Sequence, residues 1–286
     1  MSFSTDVKEE LSKISNLANK ECVKAELYGY LRTNNVSETK TGLKFSTESE
    51  HNINRFSKLL NNMRIEKYSI EVVGKNFSII VPKKEIKILE SIYENYKVES
   101  LENIEKAFIR GIFLGSGSIN NPQKKYHIEI TLKSEETADL SVQILGKYGI
   151  NLKILKTSEN KKISIYSKDG EEISKFLAFI GANSSVLKFE EIRVYRDMRN
   201  NVNRLVNCET ANLAKTVDAA VKQINAIKKL KETGKFNELP DNLKELAELR
   251  IKNPEATLEE LGKMLSTPIG KSGVNYRLKT IMKECD

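Results

Sequence analysis

Between Leu261 and Lys283 the chain carries Lys263, Lys271, Arg277, Lys279 and Lys283 and no acid, although the segment 233–286 balances nine Lys and Arg against nine Asp and Glu. Such a local excess is suited to neutralising phosphates. Beside these cations stand Ser272, Asn275 and Tyr276, whose hydroxyl and amide groups can hydrogen-bond base edges in a duplex groove. Val274, Leu278, Ile281 and Met282 recur at helical spacing, which leaves Ser272, Tyr276, Lys279, Thr280 and Lys283 on the opposite face. The candidate DNA-contacting set is therefore Lys271, Ser272, Asn275, Tyr276, Arg277, Lys279 and Lys283. The plainer reading of the same pattern is a small interaction domain with a solvated basic face, and both readings stand at this point.

Three short helix patterns must position that set. Asp241 is placed to cap the first, with Leu243, Leu246, Ala247 and Arg250 inside it and Asn253-Pro254 at its end. Thr257-Leu258-Glu259-Glu260 is a capping box opening the second. Ser266 to Gly270 makes a turn, and Ser272 is placed to cap the third helix over Gly273 to Glu284. This is the layout of a helix-turn-helix module, whose last helix enters the major groove. Thr257 to Leu265 also resembles the second helix of the promoter-reading region 4 of sigma factors. Upstream, strand patterns cease at Val186, and Ser185 to Lys231 reads as helix in two pieces, broken near Asn200-Asn201 or Asn207-Cys208. Ala211, Ala214, Val217, Val221, Ile224 and Leu230 form its narrow apolar stripe. The expected organisation is 1–185, a helical connector 186–234, and a C-terminal domain 235–286.

Within 1–185 the stretches Leu-Tyr-Gly-Tyr-Leu-Arg-Thr-Asn-Asn (27–35) and Ile-Arg-Gly-Ile-Phe-Leu-Gly-Ser-Gly (109–117) are two versions of one apolar helix end, with Gly29 and Gly111 standing 82 residues apart. Each is followed by a hairpin pattern, a helix, two more strands and a closing helix, so the N-terminal part reads as a duplicated αββαββα unit of α+β class with pseudo-two-fold symmetry. In the second copy the last hairpin turns at Ser158-Glu159-Asn160. These helix ends resemble the LAGLIDADG helices of homing endonucleases, which pack side by side through small residues and end in acids that hold a catalytic divalent metal. Aligned on the glycines, those acids fall on Asn34 and Ser116. An amide or a hydroxyl supplies no anionic oxygen for a hard cation, so the resemblance implies a nuclease scaffold without metal and without catalysis. The nearest acids on the two helices are Glu26 and Glu105. Lys124, Lys125, Lys153, Lys156, Lys161, Lys162 and Lys168 crowd the second copy and read either as a duplex-binding saddle or as solvated surface.

A chain of 286 residues, 39% hydrophobic and 30% charged, has the composition of a folded protein with a sizeable core. Its net charge of +8 leans toward a polyanionic partner such as double-stranded DNA without establishing one. Cys22, Cys208 and Cys285, with only His51 and His127 to help them, lack the spacing of a zinc site, and no cofactor is expected. No run approaches the roughly 20 apolar residues of a membrane span, and the first residues lack a signal-peptide pattern. The expected location is the cytoplasm, at the nucleoid, with reduced thiols.

Taken with Ser-Phe-Ser-Thr-Asp-Val-Lys-Glu-Glu-Leu (2–11), Phe-Ile-Arg-Gly-Ile-Phe-Leu-Gly-Ser-Gly-Ser (108–118), Asn-Arg-Leu-Val-Asn-Cys-Glu-Thr-Ala-Asn-Leu-Ala-Lys-Thr (203–216) and Lys-Ser-Gly-Val-Asn-Tyr-Arg-Leu (271–278), these features resemble the WhiA family of bacterial regulators along the whole chain. That resemblance implies a degenerate LAGLIDADG domain joined to a helix-turn-helix. It also implies a DNA-binding protein that regulates transcription in sporulating actinobacteria and affects cell division and chromosome segregation in Firmicutes, with transcription or cell-division proteins as further partners. The alternative is a nucleoid-associated or protein-interaction scaffold with weak, non-specific DNA affinity. The 203–216 stretch is left without a derived mechanism; its Asn203, Arg204, Asn207, Glu209 and Asn212 could cap a helix break or fix the domains together.

Overall fold

The computed structural model describes residues 2–15, 17–157 and 162–285. The expected turn at Ser158-Glu159-Asn160 and Lys161 lie outside the described residues, as does the side chain of Lys162. The chain forms two compact units, 1–197 and 198–286.

In the first unit α1 (Phe3–Ser12) precedes two copies of one motif. The first is α2 (Lys20–Leu31), β1 (Val36–Glu38), β2 (Gly42–Thr47), α3 (Glu50–Asn62), β3 (Ser69–Val73), β4 (Asn76–Pro82) and α4 (Lys87–Asn95). The second is α5 (Glu102–Ser116), β5 (Gly117–Ile119), β6 (Ile128–Leu132), α6 (Glu135–Lys147), β7 (Lys153–Thr157), β8 (Lys162–Ser167) and α7 (Gly170–Ile180). Their antiparallel sheets have the same order, β1-β2-β4-β3 and β5-β6-β8-β7. The duplication read from two glycine-centred stretches is thus a duplication of topology.

The helices α2 and α5 pack backbone to backbone. A Cβ on Gly29 would lie 2.5 Å from the Phe108 carbonyl oxygen, and one on Gly111 would lie 2.1 Å from that of Glu26. Around the crossing, Tyr30, Phe45, Phe56, Phe108, Phe113 and Phe176 are fully buried in a core shared by both copies. Alternation in the strands delivers Phe45, Ile79 and Val81 from the first sheet and Ile128, Ile130 and Ile165 from the second to that core. Ile150 and Leu152, just ahead of β7, are buried in the same core.

The helix α1, which the periodicity alone did not single out, explains the first of the family-like stretches. Ser2 accepts from the Thr5 N–H as its N-cap, and Phe3 meets Phe189 with ring centroids 5.9 Å apart. Glu10 accepts from the backbone N–H groups of Ser184 and Ser185 at 2.7 and 2.9 Å, so it caps the next helix, α8 (Asn183–Glu232), where a carboxylate also meets the positive end of the helix dipole. Asp6 pairs with Lys188 at 2.6 Å.

The connector differs from expectation. It is one unbroken helix of 50 residues, about 75 Å long at 1.5 Å per residue. No Gly or Pro occurs between Asn183 and Glu232, and the asparagines at 200, 201 and 207 are weak helix formers without the power to end one. There is accordingly no break for Asn203 or Asn207 to cap.

In the second unit the end of α8 is followed by a 3-10 turn (Lys235–Glu238), α9 (Asp241–Lys252), α10 (Leu258–Met264) and α11 (Lys271–Lys283). Leu243, Leu246, Ala247, Leu261, Leu265, Val274, Leu278 and Ile281 make its core, and Ile227 and Leu230 of α8 are buried in it. The trihelical module therefore rests on a fourth helix.

Candidate nucleic-acid interface

Helix α11 turns three apolar side chains inward: Val274, Leu278 and Ile281 are essentially without solvent contact. On the outward face Ser272, Tyr276, Lys279 and Lys283 are all exposed, and Tyr276 stands 74% exposed. The other members of the sequence-derived set part company from them. Arg277 is half-buried at the flank, while Lys271 and half-buried Asn275 line a cavity shared with α8. Thr280 is half-buried and its hydroxyl donates to the Tyr276 carbonyl.

Several local devices hold α11 in place. The capping box is present in both directions: the Thr257 hydroxyl accepts from the Glu260 N–H, and the Glu260 carboxylate accepts from the Thr257 N–H at 2.8 Å. The hydrogen bonds that the carboxylate accepts from the Thr257 N–H and from the Thr257 hydroxyl hold the Glu260 carboxyl below its ordinary range. Gly262 lets the turn close on α10, since a Cβ there would meet the Ile269 carbonyl oxygen at 2.2 Å. Ser266 donates its N–H and its hydroxyl to the Glu245 carboxylate at 2.6 and 3.0 Å, which ties the same turn to α9. No sequence pattern had pointed to Glu245, because its partner is 21 residues away.

Two expected caps are not made. Pro240, not Asp241, occupies the N-cap of α9, and Gly270, not Ser272, that of α11; neither helix start has a side-chain cap. Asp241 and Ser272 sit inside the first turns, one and two residues past the caps, because Pro240 and Gly270 already supply extended backbone there.

The ends of the paired helices carry no acid. Asn34 is exposed beyond the end of α2, and the Ser116 hydroxyl is taken up by the Thr131 carbonyl. The two nearest carboxylates are engaged elsewhere. Glu26 has no solvent exposure and is gripped by Arg55 through Nε and Nη2 at 2.7 and 2.8 Å and by Arg110 Nε at 3.2 Å. Burial opposes the Arg55 charge, but the hydrogen bond and charge of Glu26 outweigh it and raise the guanidinium's pKa. Glu105 accepts from Lys147 Nζ and the Tyr148 hydroxyl, both at 2.6 Å; burial, then that bond, pushes the Tyr148 phenol up to about 12. Among the described residues no group of three or more His, Cys, Asp or Glu side chains is arranged to hold a metal ion.

The lysines of the second copy do not share one face. Lys153 and Lys156 stand on β7 in opposite directions, and Lys156 pairs with Glu135 of α6. Lys124 and Lys125 belong to the connection between β5 and β6, and Lys168 follows β8. The face on which Lys153 stands carries Tyr166 and Glu129 in register, and in the first sheet Lys44 is offset by Glu71 at 3.6 Å. Among the described residues, neither sheet presents a continuous basic stripe. No helix among them is long and apolar enough to cross a membrane.

Comparison with known proteins agrees with this geometry. Residues 202–284 match the family model of the WhiA C-terminal HTH domain, and residues 105–199 match that of the WhiA LAGLIDADG-like domain. The chain is 39% identical over 310 aligned positions to the probable cell division protein WhiA of Clostridium novyi, covering 99% of this chain and 97% of the relative. It is 41% identical to that of Clostridium tetani, covering 99% and 96%. Among solved structures, full-length WhiA from Thermotoga maritima superposes with a TM-score of 0.63 at 29% identity, covering 100% of this chain and 98% of the other. An isolated N-terminal LAGLIDADG domain of WhiA gives 0.52 at 26% identity, covering 63% of this chain and 92% of that one.

Proposed function

The chain belongs to the WhiA family, and on that premise we propose that it is a non-catalytic DNA-binding regulator of transcription that serves cell division and chromosome segregation. The observation that carries this reading is the outward face of α11, where Ser272, Tyr276, Lys279 and Lys283 stand together and exposed on a helix whose other side is locked into a core. Lysines there can meet phosphates while Tyr276 and Ser272 reach base edges. The names of the relatives support the link to cell division. Action at the nucleoid follows from the same reading, and the sporulation role belongs to the actinobacterial setting of the family.

Duplex binding tests the interface. Lys279→Ala and Lys283→Ala are each expected to weaken binding to every sequence and to lower the salt slope by about 0.9, since each loses roughly one phosphate contact. Tyr276→Ala is expected to cost about 1–3 kcal/mol on a preferred site and little on random DNA. If all three folded variants bind both duplexes like the parent, α11 is not the reader and a scaffold role takes precedence.

We also propose that the N-terminal unit cuts no DNA because Asn34 and Ser116 replace the metal-binding acids. The engagement of Glu26 and Glu105 supports this reading. Plasmid incubated with the protein and Mg²⁺ or Mn²⁺ is expected to stay supercoiled. Metal-dependent nicking that co-purifies with the protein and disappears in Glu105→Gln would overturn it.

A further inference from the structure

A cavity of about 280 Å³ lies within the second unit, lined by Lys215, Gln223, Arg250 and the first turns of α10 and α11, where Lys271 and Asn275 face it. Three of its lining side chains are cations, and none is an acid. Two of its polar side chains are buried with an atom left unpaired. Gln223 is only 7% exposed, and its Oε1 has no hydrogen-bond partner. Arg250 is 2% exposed, has no carboxylate beside it, donates Nη1 to the Ala256 carbonyl at 2.8 Å and leaves Nε without a partner. Burial of that unneutralised guanidinium lowers its pKa. Arg250 Nε is a buried charged donor without an acceptor, and the Gln223 amide, turned over so that its NH₂ replaces the unpaired oxygen, adds a second donor, so this wall calls for an occupant that supplies acceptors and negative charge.

The start of α11 adds to this. Its N-cap is Gly270, with no side chain to satisfy the free N–H groups of the first turn, and the helix dipole there favours an anion. The cavity also absorbs a sequence feature that had no mechanism: Lys215 and Thr216, at the end of the 203–216 stretch, meet Lys271 and Asn275 of the 271–278 stretch across it.

We propose that this cavity binds a phosphate group, held by Lys215, Lys271 and Arg250 and oriented by Gln223 and Asn275. Phosphate fits better than a carboxylate, because its oxygens point in several directions and can accept from donors on α8, α9 and α11 at once. The group has two sources: a backbone phosphate of bound DNA, which would extend the interface from α11 onto α8, or a small phosphorylated molecule, which would couple its concentration to the helix that reads DNA. Only the first source rests on the DNA-binding reading above.

Calorimetric titration of the full-length chain with inorganic phosphate and with pyrophosphate, without DNA, separates them, alongside duplex binding by Lys215→Ala and Gln223→Leu. A small-molecule site gives saturable binding below about 10 mM, lost in both variants and retained in Lys252→Ala, which lies outside the cavity. A DNA-backbone site gives no saturable phosphate binding, but Lys215→Ala lowers the duplex salt slope by about 0.9 and Gln223→Leu weakens the duplex several-fold. Gln223→Leu also distinguishes binding from mere packing: removing an unpaired buried amide raises the midpoint of unfolding of the ligand-free chain, so its loss of phosphate or duplex binding cannot be blamed on misfolding. Phosphate binding that persists in both variants, or its absence together with parent-like duplex binding by both, overturns the proposal. Should the chain bind no DNA at all, the phosphate titration alone decides.

Discussion

Glu26→Gln is expected to destabilise the first unit by about 3–5 kcal/mol, the range for leaving a buried ion pair without one partner. The carboxylate accepts from two guanidiniums, and neither of these has appreciable contact with water: Arg55 has none and Arg110 is 6% exposed. With glutamine in place, one oxygen and one NH₂ face donors that need two anionic oxygens, and two buried positive charges remain where one negative charge had been. Arg55 Nη1 donates to the Ile14 carbonyl and Arg110 Nη1 to the Ile180 carbonyl, so the cluster ties α2, α3 and α5 to the segment after α1 and to the end of α7 as well as to one another. A domain with a total stability of about 5–15 kcal/mol would lose a large share of it. Urea unfolding followed by circular dichroism measures the change. A loss under about 1 kcal/mol would mean that solvent reaches the cluster in solution and that Glu26 is not the keystone of the helix pair.

Glu26 also shows where sequence reading stops. The residue was visible as one of the two carboxylates nearest the degenerate motif ends, and so as a candidate metal ligand. What decides its role is Arg55, 29 residues along the chain, and Arg110, 84 residues along, and no local periodicity reports that both reach one buried oxygen pair. The same limit hid Glu245, which holds the turn before α11, and Gln223 and Arg250, which line the cavity beside it.

Features set by neighbours in sequence were legible. The Thr257–Glu260 capping box and the apolar stripe of α11 depend on contacts a few residues apart, and each appears where its pattern placed it. Misplacements arose where two local signals compete. Asp241 and Ser272 are good capping residues, yet Pro240 and Gly270 reach the extended cap conformation first. The supposed break in α8 weighed polar asparagines against the absence of Gly and Pro, and the absence wins. The lysines of the second copy looked concentrated because sequence density ignores direction; alternation along β7 sends neighbours to opposite faces.

Gly111→Ala is expected to cost about 3 kcal/mol or more, at the upper end of what overpacking a core costs, although alanine is the better helix former. The added carbon would sit 2.1 Å from the Glu26 carbonyl oxygen and 2.9 Å from its carbonyl carbon. Both are backbone atoms of α2, so no side-chain rotation relieves the clash; the two helices must separate, and the buried aromatic cluster around the crossing loses contacts with them. Gly29→Ala meets the mirror-image obstacle, at 2.5 Å from the Phe108 carbonyl oxygen, and is expected to behave alike. Gly146→Ala is the contrast. That glycine lies inside α6 with nothing within 4 Å of a Cβ, so the same chemical change is expected to stabilise the unit by about 0.5–1 kcal/mol through the lower backbone entropy of alanine in the unfolded chain. Opposite signs at the two sites, read from urea midpoints of the single variants, would establish that the glycines of the repeat are there for helix contact. Equal, small effects at Gly111 and Gly146 would instead mean that α2 and α5 lie farther apart in solution, and the pseudo-two-fold packing that organises the first unit would have to be redrawn.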